Sequence, residues 1–240
     1  MKMTRQASLL QLLAEHETLT TDALAGQLGV SKETIRRDLK ALQTQGKIVR
    51  RHGRARLLHA PQQNDGEPFY ARRKSHYADK ADIARHALNW IEKGMTLALD
   101  ASSTCFHLAR QLPDIPLTVF TNSLPVCQEM ARRQHINLIC SGGRLERQNR
   151  CYVNPALVTM LKSLEVDLFI FSCEGVDASG EMWDSTKYNA TYKAHLLRRA
   201  SQSLLLIDKS KFYRASEAKI GNLAQVTQMI TDAKPGMVYL

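Results

Sequence analysis

Two groups of residues have the types and spacing for chemistry. The first lies between Ser31 and Arg56. Ile35, Leu39 and Leu42 recur at i, i+4 and i+7, the period of an amphipathic helix. The other side of the same stretch carries Arg37 and Lys40, flanked by Thr34 and Arg36. Five of the seven residues from Arg50 to Arg56 are Arg or His. Cations at this density suit duplex DNA, where contacts to phosphates fix register and affinity while donors on a helix read base edges. Thr34, Arg36, Arg37 and Lys40 are therefore the candidates for reading bases. Arg50, Arg51, Arg54 and Arg56 are the candidates for holding the backbone, and Ser31, Lys32 and His52 complete the contact set.

The second group is a series of small polar clusters, each directly after a short apolar run: Asp100, Ser102, Ser103 and Thr104; Thr121, Asn122 and Ser123; Gly142 and Gly143; Glu174; and Asp208, Lys209 and Lys211. Hydroxyls and approachable backbone N–H groups at helix N-termini suit an anion such as a phosphate. Lys193, Lys209 and Lys211 add positive charge, while Asp100, Asn122 and Glu174 suit sugar hydroxyls. A single cluster of this kind is ordinary turn chemistry. Clusters after successive runs point to one polyhydroxylated, phosphorylated small ligand.

These residues need elements to position them. Ser31 is a helix N-cap, and Gly46 stands where a left-handed C-terminal residue is expected. Apolar spacing predicts helices over 4–16 and 21–28, with Gly29-Val30 as the turn before Ser31. Residues 47–51 and 54–58 read as strands around a turn at His52-Gly53. Short helix, turn, cationic helix and basic hairpin together make a winged helix-turn-helix over residues 1–58. The polar segment 59–68, with two prolines and a glycine, reads as a linker.

Residues 69–240 read as a second domain. A long helical pattern runs from Phe69 to a stop at Gly94, with Arg72, Arg73, Lys74 and Lys80 on a solvated face. Apolar runs at 95–99, 117–120, 136–140, 168–172 and 203–207, with a weaker sixth at 226–230, alternate with helical candidates near 104–112, 125–134, 155–163 and 188–200. Asn154-Pro155 marks a helix start. This alternation implies an α/β fold with a mostly parallel sheet covered on both faces. In such a sheet the C-terminal strand edges, where the polar clusters fall, converge on one ligand crevice.

Charge is concentrated in the first part. Residues 1–60 carry 11 Lys/Arg against 5 Asp/Glu, whereas residues 81–240 carry 18 against 15. The excess is an electrostatic footprint for nucleic acid. The five cysteines form no C-x-x-C pair, which suits reduced core thiols in a cytoplasmic protein; Cys151, among polar neighbours, is expected to be more exposed. No metal set, cofactor motif, catalytic constellation, signal peptide or membrane span is read from the chain.

The run Val30-Ser31-Lys-Glu-Thr-Ile-Arg-Arg-Asp-Leu39, with Gly46, Ile48, Arg51 and His52-Gly53, resembles the N-terminal signature of the DeoR-type bacterial transcriptional regulators. The resemblance continues through Phe69, Arg72, Lys80, Asp100, Ser103-Thr104, Thr121-Asn122-Ser123, Gly142-Gly143, Asp167, Gly175, Lys193 and Asp208-Lys209-Ser210-Lys211. It implies a second domain similar to the sugar-phosphate isomerases that binds a phosphorylated sugar as effector. A helix-turn-helix needs at least a dimer to span two half-sites, so an oligomer on operator DNA is expected. Ser102 stands where the family usually has Gly, and Asn189 where it usually has Glu.

Two other readings use the same residues. An isomerase carrying a DNA-binding appendage would take its general base from Asp100, Glu174, Asp177 or Asp184. A constitutive DNA-binding protein would use the second domain only to oligomerise. Neither the sign of regulation nor a contact with RNA polymerase, which an activator would make, is visible in the residues.

Overall fold

The computed structural model describes residues 2–15, 19–44, 48–51, 54–57 and 68–233. The chain forms two compact units, Met1–Asn64 and Asp65–Leu240. The expectations placed on Gly46, His52, Gly53 and most of the linker lie outside the described residues.

The first unit contains α1 (Lys2–Glu15), β1 (Leu19–Thr20), α2 (Thr21–Leu28), α3 (Lys32–Thr44), β2 (Ile48–Arg51) and β3 (Arg54–Leu57). Thr20 caps α2 by accepting from the Ala23 N–H at 3.1 Å. Gly29 ends α2 in the left-handed conformation at φ 62°, where a side chain would be strained. The strands form one antiparallel sheet in the order β1-β3-β2. Leu9, Leu13, Leu24, Ile35, Leu39, Leu42, Ile48 and Ala55 make its core. The stripe read from α3 is thus the buried one, and the hairpin contributes Ile48 and Ala55 inward. Asp38, also on the inner side of α3, is buried and paired with Arg5 at 2.5 Å.

The second unit runs α4 (Phe69–Lys74), α5 (Tyr77–Ala87), β4 (Thr96–Leu99), α6 (Ser103–Gln111), β5 (Leu117–Thr121), α7 (Leu124–Met130), β6 (Ile136–Cys140), β7 (Arg144–Glu146), β8 (Cys151–Val153), α8 (Leu157–Lys162), β9 (Leu168–Phe171), β10 (Gly175–Val176), β11 (Glu181–Asp184), α9 (Lys187–Leu197), β12 (Gln202–Leu206), β13 (Ala218–Asn222) and β14 (Gln228–Ile230). Six strands pair in parallel in the order β14-β12-β9-β4-β5-β6. Alternate residues serve opposite faces: Leu97 and Leu99 pack with α5, α6 and α7, while Ala98 packs with α8 and α9. Strands buried on both faces read as continuous apolar runs, and all six expected strands are present. The strand order reverses between β4 and β9, so their C-terminal ends flank the topological switch point.

Three expectations change. The long helix after Phe69 is broken at Ser75-His76, where His76 adopts φ 49° and starts α5. Lys80 is buried rather than solvated; its ammonium donates to the backbone oxygens of Arg72 at 2.8 Å and Ser75 at 2.9 Å, tying α4 to α5. Cys151 is fully buried, because β8 pairs with β7 and its chain bridges to Ser123. The β7–β8 hairpin and the antiparallel sheet β10-β11-β13 are additional. Asn154 does start the turn into α8, accepting from the Ala156 N–H at 2.9 Å, and the helix proper begins at Leu157.

Candidate functional site

In the first unit the cap places the candidate reading face. Ser31 Oγ accepts from the Thr34 N–H at 3.2 Å and bonds the Thr34 hydroxyl at 2.9 Å. Arg36, Arg37 and Lys40 then project from the exposed side of α3. Lys32 pairs with Asp22 at 2.8 Å and Arg36 with Glu33 at 3.4 Å, all four side chains more than half exposed. Pairs this wet contribute ~0–1 kcal/mol, so a phosphate can displace them. Arg50 is half-buried on β2, and Arg51 stands opposite Arg54 in the hairpin register, with Arg56 opposite Val49.

At the switch point of the second unit, Asp100 and Lys193 meet in a closed cluster. Lys193 Nζ lies 3.1 Å from Asp100 Oδ2 and bonds Asp184 Oδ2 more tightly still. All three side chains are buried. Asp100 also accepts from the Ser102 N–H at 3.0 Å and, across the switch point, from the Ser172 N–H at 3.1 Å. Burial alone would push the Asp100 carboxyl up, but the Lys193 charge and the hydrogen bonds from Ser102 and Cys105 hold it below its usual value. Lys193, buried between two carboxylates, has its pKa raised. The Ser102 departure is accommodated at φ −75°, where its hydroxyl caps α6 through the Cys105 N–H at 3.1 Å. Asn189, in place of the family's Glu, is buried and its N–H bonds Thr186 Oγ1; Asp184 supplies the carboxylate to Lys193.

Beside this cluster lies an open crevice of about 370 Å³ on the same strand edge. Asn122 and Ser141, from the ends of β5 and β6, form its inner end, and both are buried. Asn122 Oδ1 is buried with no hydrogen-bond partner, an orphan of the kind that marks a ligand position. The near wall comes from α9 through Lys187, Tyr188, Thr191 and Tyr192, and the far wall from Tyr152 to Val158. Sequence reasoning reached Asn122 but not Tyr152, Lys187, Tyr188 or Thr191. For the three on α9 the signal is a helix whose first two turns are polar and aromatic, its leucines coming only at Leu196 and Leu197.

The remaining candidates are distributed. Thr121 and Ser123 are buried in the β5–α7 turn, with Thr121 Oγ1 accepting from the Ser123 N–H at 3.0 Å and Ser123 Oγ capping α7. Ser103 and Thr104 are buried in the first turn of α6. Gly142 and Gly143 follow β6 at φ 59° and 100°, and a Cβ on Gly143 would stand 2.5 Å from the Val153 oxygen. Glu174 faces Lys211 at 3.5 Å. Asp208 binds Ser210, and Lys209 pairs with Asp232 at 3.1 Å. All three lysines expected to balance a phosphate, Lys193, Lys209 and Lys211, are thus engaged by carboxylates of the chain.

A hydrogen-bonded path leaves the crevice. The Tyr188 hydroxyl donates to Glu146 Oε2 at 3.2 Å and accepts from Asn149 Nδ2 at 3.0 Å. Asn149 Oδ1 accepts from the Arg72 guanidinium at 2.9 Å. Arg72 belongs to α4, the first helix of the second unit, whose Phe69 N–H donates to the Gln148 oxygen at 3.0 Å. No helix among the described residues is long and apolar enough to cross a membrane, and no cluster there has the make-up to hold a metal ion.

Comparison with known proteins adds identity to this geometry. The L-fucose operon activator of Escherichia coli K12 is 64% identical over 234 residues, covering 98% of this chain and 96% of that protein. Among solved structures, eIF2B delta from Chaetomium thermophilum covers 69% of this chain and 59% of its own with a TM-score of 0.50 at 12% identity, a likeness of fold alone. Ribose 5-phosphate isomerase A from Methanocaldococcus jannaschii covers 57% and 55%, with a TM-score of 0.44 at 16% identity. Two family models match, a DeoR-like helix-turn-helix domain over residues 5–60 and a DeoR C-terminal sensor domain over 75–233. With a capped cationic helix in one unit, a strand-edge crevice in the other and both parts of the family pattern matched, the chain belongs to the DeoR family of transcriptional regulators.

Proposed function

We propose that this chain activates an L-fucose utilisation operon, binding operator DNA through residues 1–58 and a phosphorylated sugar, L-fuculose 1-phosphate, at the strand edge of residues 69–240. The observation that carries the reading is the path from the crevice through Tyr188 and Asn149 to Arg72. It connects the candidate effector position to the helix that follows the linker 59–68. Asn122 borders the effector, Ser102, Ser103, Thr104, Thr121, Ser123, Gly142 and Gly143 shape the strand-edge turns behind it, and Asp100 and Lys193 brace the floor beneath it. Glu174, Asp208, Lys209 and Lys211 close the outer end of the edge.

A ligand changes DNA binding only if it prefers one of two arrangements of the protein. Here the bound sugar phosphate sets Tyr188, which sets the 146–150 loop and with it α4. Two copies at least are needed to span half-sites ~34–36 Å apart or a multiple of that. As an activator on the bacterial chromosome the oligomer acts in the cytoplasm and touches RNA polymerase.

The isomerase reading has less support. A general base works best with a pKa near the working pH. Asp177 is held down to about 2 by Ser179 and Trp183, and Asp100 is held below its usual value beside Lys193. Asp184 binds Lys193 and Glu174 faces Lys211.

Titration of fluorescent operator DNA with the full chain, with and without L-fuculose 1-phosphate, tests the function. A shifted operator affinity is expected. In parallel, the ligand at a hundred times its Kd stabilises the protein by ~2.7 kcal/mol. Operator binding indifferent to the ligand, with no thermal shift, overturns the proposal.

A further inference from the structure

The crevice is chemically lopsided. Its polar capacity lies on the inner and α9 sides, in the orphaned Asn122 Oδ1 and in Lys187 and Thr191. The opposite wall is Val153, Pro155, Leu157 and Val158, side chains with no donor or acceptor. The Asn154 side chain on this wall, and the Tyr188 and Tyr192 hydroxyls on the facing α9 wall, are already committed to protein partners, while Tyr152 stands at the Asn122 end, its N–H donating to the Asn122 oxygen at 2.7 Å. Asn154 Nδ2 donates to the Ser141 oxygen and its Oδ1 accepts from the Ala156 N–H. The Tyr188 hydroxyl bridges Glu146 and Asn149, and the Tyr192 hydroxyl donates to the Leu99 oxygen at 3.1 Å. These two tyrosines therefore turn ring surface toward the crevice.

A fully hydroxylated sugar fits such a wall badly, because any hydroxyl set against it leaves water without a replacement partner. A carbon lacking its hydroxyl fits well. We infer that the Val153–Val158 wall is a specificity determinant: it receives the terminal methyl of a 6-deoxy ketose phosphate and rejects the same sugar bearing a hydroxyl on that carbon. This rests on the sugar-phosphate reading above and adds to it which end of the ligand lies where. The hydroxyl-bearing carbons lie toward Asn122, and the deoxygenated end lies against Val153 and Val158.

The test uses the full chain and two ligands that differ only at C6, L-fuculose 1-phosphate and L-tagatose 1-phosphate, with dissociation constants from calorimetry. The wild type is expected to prefer the deoxy ligand at least about tenfold, the scale of a single methyl-sized difference in an apolar pocket. Val158→Thr, a near-isosteric change at a position 44% exposed, is expected to narrow that preference to a few-fold. Val153→Thr provides a second, independent variant should the first fold poorly. Equal affinity of the wild type for both ligands overturns the wall assignment while leaving the function standing. A deoxy preference unchanged in both variants overturns it equally. Binding of neither ligand overturns the sugar-phosphate reading itself.

Discussion

The Arg72 guanidinium donates to Asn149 Oδ1 across 2.9 Å, so α4, the first helix of the second unit, is fastened to the loop between β7 and β8. Asn149 is buried, and its own side-chain amide donates to the Tyr188 hydroxyl at the crevice. The bond therefore lies between the candidate input and the route to the DNA-binding unit. A hydrogen bond to a charged donor contributes about 1.5–3 kcal/mol, comparable with the ~1–3 kcal/mol of a typical allosteric coupling.

Arg72→Ala should therefore separate sensing from output. Neither Arg72 nor Asn149 lines the crevice, so ligand affinity measured by calorimetry should stay close to wild type. The ligand-induced change in operator affinity should fall by tenfold or more. An undiminished response in Arg72→Ala sinks this route.

The thiols offer an independent check on burial. Burial pushes Cys151 and Cys173 up to about 12, and Cys105 well above its ordinary value. At pH 8 none of these three carries a reactive thiolate. Titration with an aromatic disulfide reagent should leave them unmodified in the native protein and modify all five cysteines in guanidinium chloride. Rapid native labelling of Cys151 would contradict its place between β7 and the Ser123 segment.

The large elements were legible in the sequence for a physical reason. The inner parallel strands β4, β5, β9 and β12 are covered on both faces, so each announces itself as a nearly continuous apolar run. The edge strand β14 gives a weaker one, and the α3 stripe is wide enough to show its period. What stayed hidden depends on contacts distant in the chain. Lys80 looks like a surface cation until the break at His76 folds α4 back over it. Cys151 looks exposed until β7 pairs with β8. The two-residue β10 is too short to show a period. At the site, Asn122 followed from its place after a strand. Tyr188 and Thr191 lie within a helix, where neither strand-end logic nor an apolar stripe picks them out. In the sequence the lysines at 193, 209 and 211 look like counter-charges for a ligand, and their pairing with Asp184, Asp232 and Glu174 emerges only from the fold.

On the DNA side, Arg37 and the hairpin arginines should differ in kind. Arg37→Ala, if the exposed face of α3 enters the major groove, should cost roughly 1–3 kcal/mol on the operator and relax preference at one base position. Arg51→Ala or Arg54→Ala should instead weaken binding to every sequence and lower the salt slope by about one. Anisotropy titrations on operator and random duplexes at several salt concentrations distinguish the two. Equal weakening on both duplexes by Arg37→Ala would reassign that residue to the backbone.

The buried Asp100–Lys193–Asp184 cluster makes a signed prediction about pH. Asp100, held below its usual value, contributes stability above about pH 4 that is lost as pH falls through its folded pKa. Lys193, raised above its usual value, contributes stability below about pH 10 that is lost as pH rises through its folded pKa. Between about pH 5 and 9 the wild type should therefore show no pH dependence from this cluster. Lys193→Met removes the cation and leaves buried carboxylates uncompensated, at a cost of about 3–5 kcal/mol near neutrality. With its counter-charge gone, burial raises Asp100, so the folded variant binds a proton that the unfolded chain has released. Its stability should then fall as pH rises from 5 to 8, and its deficit relative to wild type should shrink toward pH 5. Urea unfolding of both proteins at pH 5, 6.5 and 8 measures this directly. A deficit constant across that range would mean that Lys193 stabilises the switch point through packing of its stem rather than through its charge.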